Sequence, residues 1–222
     1  MYNSIIFDFD DTLAEGQTCF AATTTLAAQR LGLRAPTEVE MKYFGSSWDD
    51  FINRNWPRLE WPELEPENFK REYFKVAKEV GCSSLPGVIE ALGEIRLDRE
   101  MYILSKKAKE MMSLRLGQTG INPEWFKGVY CNEDTFYKKP DPRTYQELFQ
   151  EMQRRGYFNL NQILAIGDHP DDYLAAHGAG IKFVGVLTGI YDRDDFSQHG
   201  LSPEEVIESV ASLPEYLKRI EE

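Results

Sequence analysis

Apolar residues along this chain follow two rhythms. Short uninterrupted runs lie at residues 4–9, 101–104, 128–131, 163–166 and 181–187. The first of them, Ser4-Ile5-Ile6-Phe7-Asp8-Phe9, stops in acids. Runs of this length bounded by polar residues predict strands buried on both faces. Between them lie amphipathic stretches of helical length, at residues 87–96, 106–116, 142–155 and 171–177. Pro86 beside Gly87, and Pro142 at the head of its segment, suit helix beginnings. Strands alternating with helices predict an α/β fold, a Rossmann-like doubly wound parallel sheet with helices on both faces. In such a sheet a ligand sits at the carboxyl ends of the strands.

One segment breaks the alternation. Residues 15–85 contain no buried strand but three helical stretches, at residues 19–31, 37–44 and 67–80, the first and last closed by Gly32 and Gly81. Trp48, Trp56 and Trp61, three of the four tryptophans, fall here. The pattern predicts a small helical insert between the first strand and the rest of the sheet, with its aromatic rings packed in its own core.

Composition narrows the function. A hydrophobic share of 42% and a charged share of 28% suit a soluble globular chain. No apolar run approaches the ~20 residues of a membrane span. The first residues lack the basic segment and small-residue cleavage site of a secretory signal. The expectation is a cytoplasmic protein. A net charge of −12 argues against nucleic acid or an anionic membrane as partner, since both need a basic footprint. It leaves room for an anionic small molecule, because a bound metal ion reverses the local sign of a site. Cys19, Cys82 and Cys131 are far apart and unpaired in spacing, which predicts free buried thiols in a reducing compartment.

Four clusters at candidate strand ends carry chemistry. Asp8-Phe9-Asp10-Asp11-Thr12-Leu13 follows the first strand. Two carboxylates placed close together need a shared proton or cation, and Mg²⁺ is a hard ion suited to oxygen ligands. In that setting Asp8 is a candidate nucleophile toward phosphorus and Asp10 a candidate general acid and base. Gly167-Asp168-His169-Pro170-Asp171-Asp172 follows another buried run. It places Asp168 where a metal would sit and Asp172 one helical turn on, to steady Asp168 or a metal-bound water. Ser105 precedes a helix start, where a hydroxyl and backbone N–H groups make an anion site. Lys139, in Lys138-Lys139-Pro140-Asp141-Pro142, is a candidate for neutralising phosphoryl charge and the Asp8 carboxylate. Taken singly, these have ordinary readings as a solvated acidic turn, a helix cap or a surface lysine. Together they supply a nucleophile, a hydroxyl, a cation and metal-binding acids, the inventory of phosphoryl transfer.

The chain resembles the haloacid dehalogenase superfamily, in the branch of phosphoglycolate phosphatases and β-phosphoglucomutases with a helical cap. Asp8-Phe9-Asp10-Asp11-Thr12-Leu13 is similar to the first motif of that superfamily, Ile103-Leu104-Ser105 to the second, Lys139-Pro140 to the third, and Gly167-Asp168 with Asp172 to the fourth. Leu85-Pro86-Gly87-Val88 resembles the return from cap to core. The resemblance implies a catalytic core of residues 1–14 and 86–222 and a cap of residues 15–85. It implies Asp8 as nucleophile and Mg²⁺ ligand, and Asp10 as acid and base that also offers its carbonyl to the ion. Asp168 becomes the second carboxylate ligand with Asp172 in its support, and Ser105 and Lys139 hold the transferring group. Asp11, Lys106 and His169 depart from the commoner pattern, where glycine, asparagine and a small hydroxyl residue stand. The dehalogenases themselves lack a second acid at the place of Asp10, which disfavours dehalogenation.

The expected activity is therefore a Mg²⁺-dependent phosphatase acting on a small phosphorylated metabolite. Two other readings stay open. A β-phosphoglucomutase-like phosphomutase would use the same four motifs, and a non-catalytic phosphoryl- or metal-binding regulatory protein would keep the fold. The identity of the ester and the oligomeric state are not written in the spacing.

Overall fold

The computed structural model describes residues 1–41, 48–57, 60, 61, 63–156 and 158–221. The chain divides into two compact units, one of Met1–Glu15 with Ser83–Glu222 and one of Gly16–Cys82.

The larger unit holds a parallel six-stranded sheet. Its elements and those of the insert run in the order β1 Ser4–Phe7, α1 Gly16–Arg30, α2 Glu38–Met41, α3 Trp48–Asn55, α4 Pro66–Glu79, α5 Val88–Ile95, β2 Glu100–Leu104 and α6 Lys109–Thr119. There follow β3 Phe126–Tyr130, α7 Gln146–Arg154, β4 Ile163–Gly167, α8 Pro170–Gly178, β5 Lys182–Val186, α9 Arg193–Gln198, β6 Val206–Ile207 and α10 Leu213–Glu221. The strand order is β3-β2-β1-β4-β5-β6. Order therefore reverses between β1 and β4, and the crevice at their carboxyl ends is where a doubly wound sheet takes its ligand.

Side chains alternate across the sheet with period two, and both faces are buried. Ile6, Tyr102, Leu104, Ala165 and Phe183 share one apolar cluster with Leu148 and Met152 of α7, Ala175 and Ala176 of α8, and Phe196 of α9. Ile5, Phe7, Met101, Ile103, Leu164, Ile166, Val184 and Val186 alternate with them and are buried too. This is why the strands read as unbroken apolar runs. The two-residue β6 leaves no such run, and its parallel pairing with β5 adds a sixth strand to the five expected.

The smaller unit is helical. Cys19, Thr23, Thr24, Ala27 and Ala28 of α1 are buried, as are Phe69, Tyr73, Val76 and Ala77 of α4, the helix against which α1 packs. Phe20, Trp48, Phe51, Trp56, Phe69 and Tyr73 form a continuous ring cluster with centroid spacings of 4.8–6.5 Å. The helix expected at residues 37–44 is present as Glu38–Met41, and residues 42–44 lie outside the described ones. The cysteine expectation needs correction. Cys19 and Cys82 are joined in a disulfide with a Cα–Cα distance of 5.5 Å across 63 residues. Packing of α1 on α4 brings the first turn of one helix to the residues just past the other, a proximity that linear spacing does not carry. Cys131 alone fits the expectation of a buried free thiol. Among the described residues no helix is long and apolar enough to cross a membrane.

Candidate active site

The site is built from four strand ends of the larger unit. Past β1 the backbone continues its ladder for one residue, Asp8 N–H donating to the Ile166 carbonyl at 2.8 Å. It then turns sharply. Leu13 and Ala14 N–H groups both return to the Phe9 carbonyl, and Asp11 sits at φ 53°, in the left-handed region that costs a non-glycine residue about 1 kcal/mol or more. Phe9 and Leu13 are fully buried, and the Thr188 hydroxyl donates to the Asp11 carbonyl. The turn is thus anchored from below by apolar burial and from the side by the loop after β5.

Lys139 is the hub. Its ammonium donates to Asp8 Oδ1 at 2.7 Å and to the Leu104 carbonyl at 2.7 Å, and pairs with Asp172 Oδ1 at 2.7 Å. All three N–H bonds are used, and the side chain is 5% exposed. Burial disfavours its charge, but Asp172 and Asp8 more than offset this and hold the ammonium above the usual lysine range. Asp168 stands beside this group, accepting from the Thr12 hydroxyl at 3.0 Å. Asp8, Asp168 and Asp172 each bring a carboxylate oxygen within 4.8 Å of the others. Two glycines make room for them. A Cβ at Gly167 would lie 2.4 Å from Asp172 Oδ2, and one at Gly189 would lie 2.1 Å from Asp168 Oδ2.

Burial, then the neighbouring acids Asp172, Asp8 and Asp11, push Asp168 well above the ordinary carboxylate range. Asp172 is raised as well, by burial first, with Lys139 opposing and Asp8 adding. Fully ionised, three carboxylates against one ammonium leave two negative charges in excess. An all-oxygen donor set with that surplus fits a hard divalent cation. Asp172 also caps its helix, since the His169 N–H reaches its Oδ2 at 3.3 Å while His169 Nδ1 accepts from Asp171 N–H. Capping and cluster membership thus coexist in one side chain.

Asp10 lies apart from that hub, with Oδ2 paired to Lys107 Nζ at 2.9 Å. Burial raises its pKa, and Lys107 only partly opposes this. Ser105 is buried. Its N–H donates to the Tyr130 carbonyl and its hydroxyl oxygen accepts from Lys107 N–H at 3.2 Å. Lys107 therefore touches both Asp10 and Ser105, and the carbonyl next to Ser105 touches Lys139. Of the residues singled out by sequence, Asp8, Asp172 and Lys139 are in direct contact and Asp168 adjoins them. Asp10 and Ser105 connect through Lys107. Sequence reasoning passed over Thr12, Lys107 and Gly189. Thr12 stood inside the first acidic motif and Lys107 two residues past Ser105, whereas Gly189 carried no signal.

The family model described as haloacid dehalogenase-like hydrolase matches residues 5–186. A phosphoglycolate phosphatase of Vibrio cholerae is 27% identical over 195 residues, covering 83% of this chain and 84% of that one. A 5'-nucleotidase of Pseudomonas aeruginosa is 23% identical over 222 residues, covering 98% of this chain and 96% of its own. The crystal structure of a predicted phosphoglycolate phosphatase from Haemophilus somnus superposes with a TM-score of 0.80 at 22% identity, covering 97% of this chain and 98% of that one. At that identity the likeness is one of fold.

Proposed function

Since the chain belongs to the haloacid dehalogenase-like hydrolase family, we propose that it is a Mg²⁺-dependent phosphatase that hydrolyses a small phosphomonoester through an aspartyl-phosphate on Asp8. One observation carries this reading. At the point where strand order reverses, Lys139 holds Asp8 and Asp172 beside Asp168, and a second acid, Asp10, is held separately on Lys107.

The chemistry follows from those positions. A carboxylate oxygen of Asp8 attacks phosphorus while the ester P–O bond breaks, and Asp10 gives its proton to the leaving oxygen. Asp10 then takes a proton from water as the water oxygen attacks phosphorus. The P–O bond to Asp8 breaks, releasing orthophosphate and restoring the carboxylate. Burial moves Asp10 upward from the ordinary carboxylate range, the direction that suits a proton donor near neutral pH. Lys139 and Ser105 are assigned to the phosphoryl oxygens, with Lys139 also holding the Asp8 carboxylate in place at 2.7 Å. Asp8, Asp168 and Asp172, with the Asp10 carbonyl, would hold Mg²⁺. When bound, the ion supplies the positive charge that lets an anionic phosphate approach a carboxylate nucleophile.

The names of the matched relatives, phosphoglycolate phosphatase and 5'-nucleotidase, support a small phosphorylated metabolite as substrate. The net charge of −12 weighs against nucleic acid. The insert of residues 16–82 stands where the family's substrate-selecting cap stands in sequence order, and is assigned that role. The test is an acid-quenched reaction of Asp10→Asn with an aryl phosphate, whose leaving group needs no proton. Phosphate should accumulate covalently on Asp8. No phosphoprotein, or phosphate on another residue, would overturn the mechanism.

A further inference from the structure

The loop after β3 has an unusual task. β3 is an edge strand, with β2 between it and β1. The loop that leaves β3 must therefore carry Lys139 across about 10 Å, two strand spacings, for its ammonium to meet Asp8. It touches the Leu104 carbonyl at the end of β2 on the way. A lysine delivered by a long loop is a loose electrostatic group unless the loop itself is held.

Lys138 holds it. Its ammonium donates to the carbonyls of Asn132 and Thr135, and to the Thr135 hydroxyl at 3.2 Å. All three N–H bonds thus stay inside the loop, although the residue is only half-buried. The chain then turns directly into Lys139, with Asp141 N–H returning to the Lys138 carbonyl at 2.9 Å. A surface loop ordinarily lets water satisfy such carbonyls. Fixing a flexible lysine on them costs rotamer entropy.

The same loop is bolted to the start of α6. Asn132 N–H donates to the Lys107 carbonyl at 2.9 Å. Lys109 N–H donates to Glu133 Oε2 at 3.0 Å, and the Lys109 ammonium pairs with Asp134. Asp134 in turn accepts from Cys131 N–H at 3.0 Å. The cation on the nucleophile, Lys139, and the cation on the acid, Lys107, are therefore both referred to one bracket.

We propose that Lys138 is a positioning residue for phosphoryl transfer, the pin that fixes residues 131–138 as the bracket setting Lys139 on Asp8. The proposal rests on the phosphatase reading above. Lys138 does not reach the reacting atoms, so its removal acts on the rate rather than on substrate capture. A displacement of about 1 Å in such a group costs on the order of 100-fold in rate.

The test compares Lys138→Met with wild type and with Lys139→Met, in the full chain, on an aryl phosphate with Mg²⁺. Thermal melting and backbone amide exchange are followed in parallel. Lys138→Met should lower kcat roughly 10- to 100-fold, with KM changed less than about threefold and a cooperative melt retained. Amides of Asn132, Asp134 and Asp141 should exchange faster in the variant. Wild-type kcat in Lys138→Met, or a loss of kcat matched by loss of folded protein, would overturn the proposal. Absence of turnover in wild type would defeat the phosphatase reading first. Amide exchange then decides for the bracket, unchanged protection in Lys138→Met counting against it.

Discussion

Replacing Lys139 by methionine isolates the electrostatics of the hub, because the apolar stem is kept and only the ammonium is lost. The ammonium makes three contacts of 2.7 Å at 5% exposure. Its removal leaves Asp8, Asp168 and Asp172 within 4.8 Å of one another with no cation among them, and orphans the Leu104 carbonyl. Breaking a buried pair from one side costs about 3–5 kcal/mol. At about 2–4 °C per kcal/mol for a protein of this size, the metal-free variant should melt roughly 6–20 °C below wild type. Divalent cation should then stabilise the variant more than wild type, since the surplus negative charge rises from two to three. A ligand at 100 times its Kd adds about 2.7 kcal/mol, so Mg²⁺ should recover a large part of the loss. Activity should not recover with it. Loss of one preorganised charge at the phosphoryl group costs on the order of 100- to 1000-fold. Differential scanning calorimetry with EDTA and with millimolar Mg²⁺, beside phosphate release, reads all three effects. A melting temperature within about 1 °C of wild type, with no larger response to Mg²⁺, would refute the reasoning that Lys139 neutralises this cluster.

Three further outcomes are expected elsewhere. The Cys19–Cys82 bond closes a loop of 63 residues, worth about 4 kcal/mol in the chain-entropy account, so Cys19→Ser with Cys82→Ser should lower the urea midpoint and make it insensitive to reductant. Thiol titration of unfolded, unreduced protein should count Cys131 alone, and three thiols there would deny the disulfide. In the native protein Cys131, whose pKa burial pushes up to about 11, should resist alkylation at pH 8, where little thiolate exists; rapid labelling would contradict its burial. Arg34, with Thr37, holds the Glu40 carboxyl down to about 2. A depressed folded-state pKa stabilises above the unfolded value, near 4.5, and the contribution is lost as pH falls toward 2. The stability gap between wild type and Glu40→Gln should therefore be full at pH 7 and shrink below pH 4.5, and a gap that widened on acidification would be contrary to this pairing.

The parts of the fold that were legible are those where burial leaves an unbroken apolar run. β1 and β4 are buried throughout and end in polar residues, so their position and the acids beyond them could be read directly. β6, with two residues, is too short to leave a pattern. Asp8 and Asp168 were legible as acids at strand ends, because a parallel sheet gathers such ends along one edge, and Asp172 and Lys139 as charged residues in the helix and loop that follow. Their pairing was not, since Lys139 and Asp8 are 131 residues apart. Lys107 was hidden for a different reason: a lysine at a helix start reads as solvent-exposed until its partner Asp10 is placed 2.9 Å away. The disulfide was hidden by helix packing inside the insert, and Lys138 by its neighbour, the more obvious cation.

Asp8 is proposed as the nucleophile of a metal-dependent phosphatase. The most direct measurement is orthophosphate release from an aryl phosphate by wild type and Asp8→Asn, each with and without Mg²⁺, on protein shown to be folded by circular dichroism. Wild type should turn over only with the metal. Asp8→Asn, which keeps the shape of the side chain but loses the attacking carboxylate, should release no phosphate above background under either condition. Full activity in Asp8→Asn, or wild-type turnover indifferent to Mg²⁺, would contradict the account.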